Sequence, residues 1–379
     1  MRIKTQSGDK MDYYFLIITA VDIFVLGTMC VLTKYNETLD KRQRRWFIMS
    51  FVLIIVISVL EVVTVAVDRG PQSLRWVNII ANYLGFGLSP AVPVFLASAM
   101  EKKQSIKYAL SVEAAYLLFL AVTFPFKIVF YVDQNNQYVR EDFFGIYIAV
   151  YFSGIIYLLV MTFRITARYQ NKSRRSIYLI VAFLLAGMTI QVVFSQIHVT
   201  WLCSTFLSIL FFTYCNGMWQ QLDKLTGLLN QKSYLNITSS LSQSGTMVVF
   251  DVDDFKQVND NCGHVMGDRC LEAIADCIKA AYSKYGFCYR IGGDEFCVIL
   301  NAEADREDCY RRLIEELDER RKTLSILPYV SVGSASFAAG DDALKVKEAA
   351  DRELYRFKRE HKNDKNREPE DGSVKIQEE

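Results

Sequence analysis

The chain has 379 residues, 51% of them hydrophobic, with a mean hydropathy of +0.14 and a formal net charge of +1. That charge balance excludes a protein that works by a strongly one-signed surface, such as a nucleic-acid binder or an acidic tail protein, while the length admits two or three domains. The nine cysteines make no CxxC pair and no His/Cys cluster at metal spacing, which excludes a zinc module and reads as buried thiols in a reducing compartment.

The apolar content is concentrated before about residue 217, and the remainder alternates charged and apolar residues as a water-soluble domain does. Seven segments of spanning or near-spanning length lie at 12–33, 46–67, 75–99, 107–126, 143–163, 176–196 and 199–217. In lipid such segments satisfy their backbone only as helices, so residues 1–217 are expected to form an all-α bundle of about seven helices. The first apolar run lacks a small-residue cleavage site and reads as a retained span rather than a signal peptide.

Basic residues crowd the first connection (Lys34, Lys41, Arg42, Arg44, Arg45), the third (Lys102, Lys103, Lys107) and the fifth (Arg164, Arg168, Lys172, Arg174, Arg175). The positive-inside rule then puts the N-terminus outside and everything after the seventh span in the cytoplasm, although Arg2, Lys4 and Lys10 oppose the count. Five polar residues fall at membrane depth: Asp22, Glu61, Asn82, Glu113 and Gln191. They read either as helix-to-helix hydrogen bonds, with Glu113 alternatively near an interface, or as a small-molecule pocket opening outward, aided by a break at Pro90 and Pro93. The seventh span runs almost without linker into the soluble part, as a stiff signalling strut would.

Beyond residue 218 the patterning predicts a strand over TMVVFDVD, a helix opening at DDFKQVND, a longer helix over 267–285, and a hairpin over FCYRIGGDEFCVILN. A charged amphipathic helix over 305–324, a strand YVSVGSASF and a last helix over 343–360 follow. This order makes an α/β, or α+β sandwich, domain with a mostly antiparallel central sheet. The polar tail at 364–379 is expected to be disordered.

The chemistry gathers at two places. Asp251 ends a buried strand with Asp253 and Asp254 just after it, and a helix opening at Phe255 and Lys256 offers amides that attract phosphate. At the hairpin, Asp294 and Glu295 stand side by side on a tight turn, where their repulsion calls for a cation. If the hairpin tip lies beside the strand, Asp251, Asp294 and Glu295 form one acidic cluster able to hold divalent metal for phosphoryl transfer.

RIGGDEF at 290–296 resembles the signature of the GGDEF diguanylate cyclases, whose domain is nucleotidyl-cyclase-like. Four further blocks resemble that family in the right order: DKLTGLLN at 223–230, DVDDFKQVNDNCGHVMGD at 251–268, VSVGSASF at 330–337 and ADRELYRFK at 350–358. The resemblance covers roughly residues 219–363 and does not reach the apolar half. It implies a homodimer that condenses two GTP into cyclic di-GMP and two pyrophosphates, each 3′-oxygen attacking the other nucleotide's α-phosphorus. It further implies two Mg2+ per site, or Mn2+, held by Asp251, the Val252 carbonyl, Asp294 and Glu295, with Asp294 also taking the ribose 3′-hydroxyl proton. By the same resemblance Asn259 and Asp268 read the guanine edge, while Phe255, Lys256, Lys358 and Lys362 contact phosphate.

Asp268 stands where relatives making mixed adenine-guanine products carry serine, so the guanine product is expected. The family's inhibitory RxxD motif is replaced by SKYG at 283–286, Lys362 stands where many members have arginine, and His361 replaces a common glycine. No EAL-like block follows. Two other readings stay open: a degenerate domain that only binds nucleotide, and a transporter or channel with a regulatory nucleotide domain.

Overall fold

The computed structural model describes residues 8–100, 105–168, 182 and 200–365, and divides into two compact units, Met1–Gln220 and Gln221–Glu379. The predicted sixth span apart from residue 182, Gln191 within it, and the 366–379 part of the tail lie outside the described residues.

The first unit is built from α1 (Gly8–Lys34), α2 (Lys41–Val67), α3 (Arg75–Leu88), α4 (Ala91–Met100), α5 (Ser105–Thr123), α6 (Phe144–Arg168) and α7 (Thr200–Trp219). Five of its described helical stretches are long and apolar enough to cross a membrane: Tyr14–Lys34, Lys41–Val67, Gln72–Met100, Phe144–Thr166 and Trp201–Trp219. The expected fourth span yields only a shorter apolar stretch, Leu110–Phe126. At the start of α2, Asp40 accepts from the amides of Arg42 and Gln43 while Gln43 accepts from the Asp40 amide, a reciprocal cap that fixes where the helix begins.

The third expected span is two helices, α3 and α4, parted at Ser89 and Pro90 because proline cannot continue the hydrogen-bond ladder. Gly154 of α6 lies against this break, where a Cβ would meet Pro93 Cγ at 2.9 Å and the Pro90 carbonyl at 3.1 Å.

Sequence reading missed a short hairpin, β1 (Phe130–Val132) with β2 (Tyr138–Arg140), in the connection before α6. Asn136 holds it down in a left-handed conformation (φ 57°) that asparagine tolerates. Its Nδ2 donates to the Val67 carbonyl at 2.6 Å, its Oδ1 accepts from Asn78 at 3.0 Å, and Asp68 accepts from the Tyr138 amide at 2.8 Å. Asn82 donates to Asn78, so this polar residue is satisfied between neighbouring groups of the unit.

The second unit carries α8 (Gln231–Thr238), β3 (Gly245–Val252), α9 (Phe255–Cys262), α10 (His264–Tyr282), β4 (Gly286–Arg290), β5 (Glu295–Asn301), α11 (Arg306–Thr323), β6 (Val330–Phe337) and α12 (Ala343–Lys365). The sheet order is β4-β5-β3-β6 and every neighbouring pair is antiparallel. Side chains alternate between the faces of β3. Val248, Phe250 and Val252 pack into a core with α10 and α11, and Met247 and Val249 into a second core with α8 and α12. β5 obeys the same parity, with Phe296, Val298 and Leu300 on the α10 side and Cys297 and Ile299 on the other.

The charges of α11 follow its dipole: Asp305 caps the start, Glu307 and Asp308 lie in the first turn, and Arg320, Arg321 and Lys322 in the last. All nine cysteines are free thiols and six are buried; burial pushes Cys288 up to about 12, which keeps it protonated and inert.

Each edge strand of the sheet has a polar partner outside the ladder. On β6 the Glu353 carboxylate of α12 takes the Ser334 amide, and beside β4 the Leu229 segment exchanges backbone bonds with Cys288 and Arg290. Helix α12 can press this close because Gly333 has no side chain; a Cβ there would collide with the Ala350 carbonyl and the Leu354 amide. Gly333→Ala is therefore expected to lower stability by about 1–3 kcal/mol. A denaturation midpoint equal to that of the wild type would show that α12 sits farther from the strand.

Candidate functional site

Strand parity decides which acids can meet. Asp251 shares the face of Met247 and Val249, and Glu295 that of Cys297 and Ile299, so both point toward the α8 and α12 side of the sheet. They are direct partners in the β3–β5 register. The next rung has the Val252 amide donating to the Asp294 carbonyl at 3.2 Å, which makes the Asp251–Glu295 rung a non-hydrogen-bonded one. In such rungs the Cα atoms stand only about 4.5 Å apart.

Lys358, from the same-side helix α12, places its ammonium on Asp251 Oδ1. Two half-buried or exposed carboxylates and one cation thus converge at the end of the central strand.

Asp294 lies on the glycine bend just before β5. Among the described residues no three carboxylate, imidazole or thiol groups lie close enough to hold a metal together. The anticipated three-acid cluster therefore does not stand as a ready-made metal group, although Asp251 and Glu295 are register partners. Asp253 is withdrawn: its Oδ1 accepts from Ser331 Oγ at 2.7 Å and its amide donates to the Tyr329 carbonyl, tying the β3 end to the start of β6.

On the opposite side of the strand end, Asp254 adopts a left-handed conformation (φ 52°) and its side chain does not cap α9. The first-turn amides at Phe255 and Lys256 are left for an approaching anion. Phe255 packs partly into the α10-side core while Lys256 is exposed.

Gly263 (φ 81°) turns the chain sharply from α9 into α10, and Gly267 lets Asn259 lie against the second helix, since a Cβ at Gly267 would strike Asn259 Oδ1. Asn259 and the exposed Asp268 are thereby neighbours at one rim, on the α10 side, whereas Asp251, Glu295 and Lys358 gather on the α12 side. Lys362 lies on the last turns of α12, where its side chain falls outside what the structure describes.

The brace of the hairpin was not foreseen as such. Arg290 donates from Nη1 to Asp223 Oδ1 at 3.0 Å and from Nη2 to the Gly293 carbonyl at 2.7 Å, fastening the glycine bend to the segment before α8. Asp223 also accepts from the Thr226 amide and hydroxyl, at 2.8 and 2.7 Å. Both residues belong to blocks visible in the sequence, DKLTGLLN and RIGGDEF, but nothing in the sequence shows that they touch across 67 positions.

Residues 220–364 match the family model described as Diguanylate cyclase, GGDEF domain. The chain is 34% identical over 149 residues to Probable diguanylate cyclase DgcJ of Escherichia coli (strain K12), covering 35% of this chain and 28% of that protein. It is 30% identical over 156 residues to Diguanylate cyclase DgcS of Shewanella oneidensis, covering 39% of this chain and 52% of the relative. The chain therefore spans about a quarter to a half of the length of these relatives. Among solved structures, the GGDEF domain of DgcB from Caulobacter crescentus in complex with c-di-GMP is 31% identical, with a TM-score of 0.32, covering 37% of this chain and 91% of that one.

Burial raises the Asp223 carboxyl, but the hydrogen bonds from Thr226 and Arg290 outweigh it and hold the group below the ordinary carboxylate value. A carboxyl depressed by folding contributes stability that is complete above its unfolded value of about 4 and is lost as pH falls through the folded value. Asp223→Asn is expected to cost about 2 kcal/mol at neutral pH, with the gap to wild type closing as the pH drops below about 4. Melting curves showing the same gap at every pH would rule out a charge-dependent brace.

Proposed function

We propose that the chain is a membrane-anchored diguanylate cyclase, joining two GTP into cyclic di-GMP with release of two pyrophosphates. The observation that carries this reading is the Asp251–Glu295 rung with Lys358 upon it, beside the uncapped start of α9, inside the segment that matches the GGDEF family model.

An all-oxygen pair of carboxylates fits Mg2+, which is held by one or two protein carboxylates together with substrate phosphates rather than by a closed protein cage. Asp251 and Glu295, with the Val252 carbonyl and Asp294, would hold two such ions, and Mn2+ suits the same oxygen donors. When bound, the metal neutralises charge developing around the α-phosphate and eases loss of the 3′-hydroxyl proton.

The rest is the work of the chain. Lys358 neutralises Asp251 before substrate arrives and would exchange that partner for the incoming phosphates. The Phe255 and Lys256 amides seat those phosphates, Asn259 and Asp268 read the guanine edge, and Lys362 adds positive charge farther along α12. Asp294, at the tip, accepts the ribose proton. Each site serves one nucleotide, so turnover needs two domains facing each other around a two-fold axis.

The anchor reading rests on the five apolar helical stretches and on large apolar side chains left exposed along the first unit, such as Phe24 (76%), Trp76 (69%) and Leu118 (66%). Lipid would cover them. Loop charge then sets the N-terminus outside and the second unit in the cytoplasm.

The full chain in lipid nanodiscs, given GTP and Mg2+, is expected to make cyclic di-GMP. Asp294→Ala should reduce turnover by about a hundredfold or more while the melting temperature stays put. GTP binding without product from the wild-type protein would replace this reading with a nucleotide receptor. Because SKYG stands in place of the inhibitory motif, added cyclic di-GMP is expected to leave the initial rate within about twofold. A steep fall would reveal an inhibitory site elsewhere.

A further inference from the structure

Helix α5 turns one narrow stripe inward: Glu113, Tyr116 and Leu120 are buried, while Val112, Leu118 and Val122 are exposed. Glu113 is only 7% exposed and its Oε1 is fully buried without a hydrogen-bond partner; the hydroxyl of Tyr116, one turn on and 4% exposed, is equally unpartnered. A carboxylate placed this way costs several kcal/mol unless a cation or donor reaches it.

The surroundings are aromatic. Tyr116 belongs to a cluster with Phe130 and Tyr138 of the β1–β2 hairpin and Phe86 of α3. Phe86 is its centre, with ring centroids 5.2 Å from Phe130, 5.7 Å from Tyr138, 5.4 Å from Phe144 and 5.0 Å from Tyr147. Aromatic faces carry negative electrostatic potential and attract cations. One ring already does so at the rim, where the Arg140 guanidinium lies 4.7 Å from the Phe144 centroid.

A buried acid without a donor, one turn from a cluster of aromatic rings, rejects an anion and favours a positively charged group with an apolar body. We propose that this cluster is a binding site for an organic ammonium ion, its charged nitrogen paired with Glu113 and faced by Phe86 and Tyr116. The asparagine knot at Asn136 fixes the hairpin over the cluster, so the rings are held in place before any ligand arrives. The inference concerns only the helical unit and stands apart from the cyclase reading.

The full chain in nanodiscs is titrated calorimetrically with tetramethylammonium, phenethylamine and its trimethylated analogue, and with neutral 2-phenylethanol as control. At least one ammonium probe is expected to bind saturably and the alcohol not to. Glu113→Gln, which keeps the shape and removes the charge, should weaken that binding by about tenfold while the protein stays at least as stable. Phe86→Leu, which leaves the acid and removes the central ring, should weaken it by about fivefold or more. Absence of binding by every ammonium probe, equal binding of the alcohol, or unchanged affinity in both variants would overturn the proposal.

Discussion

The second unit depends on β3 being paired on both sides, with β5 from Gly245↔Asn301 to Asp251↔Glu295 and with β6 from Gly245↔Phe337 to Val252↔Val330. A slip of one residue in either ladder would exchange the two faces of a strand and turn Met247 and Val249 out of one core and Val248 and Phe250 out of the other. That penalty fixes the register. Once it is fixed, Asp251 has no freedom to be anywhere but opposite Glu295 and under α12, so the placement of the acids is a by-product of apolar packing many residues away.

Much of this could be read from the sequence. The alternation in VVFDVD and FCVIL announces strands, the acids and glycines between them announce a charged bend, and the helices over 264–282, 306–323 and 343–365 lie close to where their periodicity puts them. Partnership was harder. The pairing of Arg290 with Asp223, the diversion of Asp253 to Ser331, and the seating of Lys358 on Asp251 join residues 67, 78 and 107 positions apart. Spacing carries no information about such contacts, because they are decided by how whole elements stack.

In the helical unit hydropathy is a good guide to length and a poor one to shape. It registers apolar side chains whether they are exposed or buried, and merges α3 with α4 across Pro90 because both sides are apolar. The β1–β2 hairpin escapes it altogether: strands of three residues give no period to detect, and what anchors them is a web of amide hydrogen bonds around Asn136.

The polar partners on both borders of the β4-β5-β3-β6 sheet have an outcome for assembly. With the Ser334 amide taken by Glu353 on one side and Leu229 bonded to the Cys288–Arg290 stretch on the other, a second copy cannot extend the ladder at these points. A pairing of two copies would therefore have to run through helices and loops there, a contact that can part and re-form without breaking a backbone ladder.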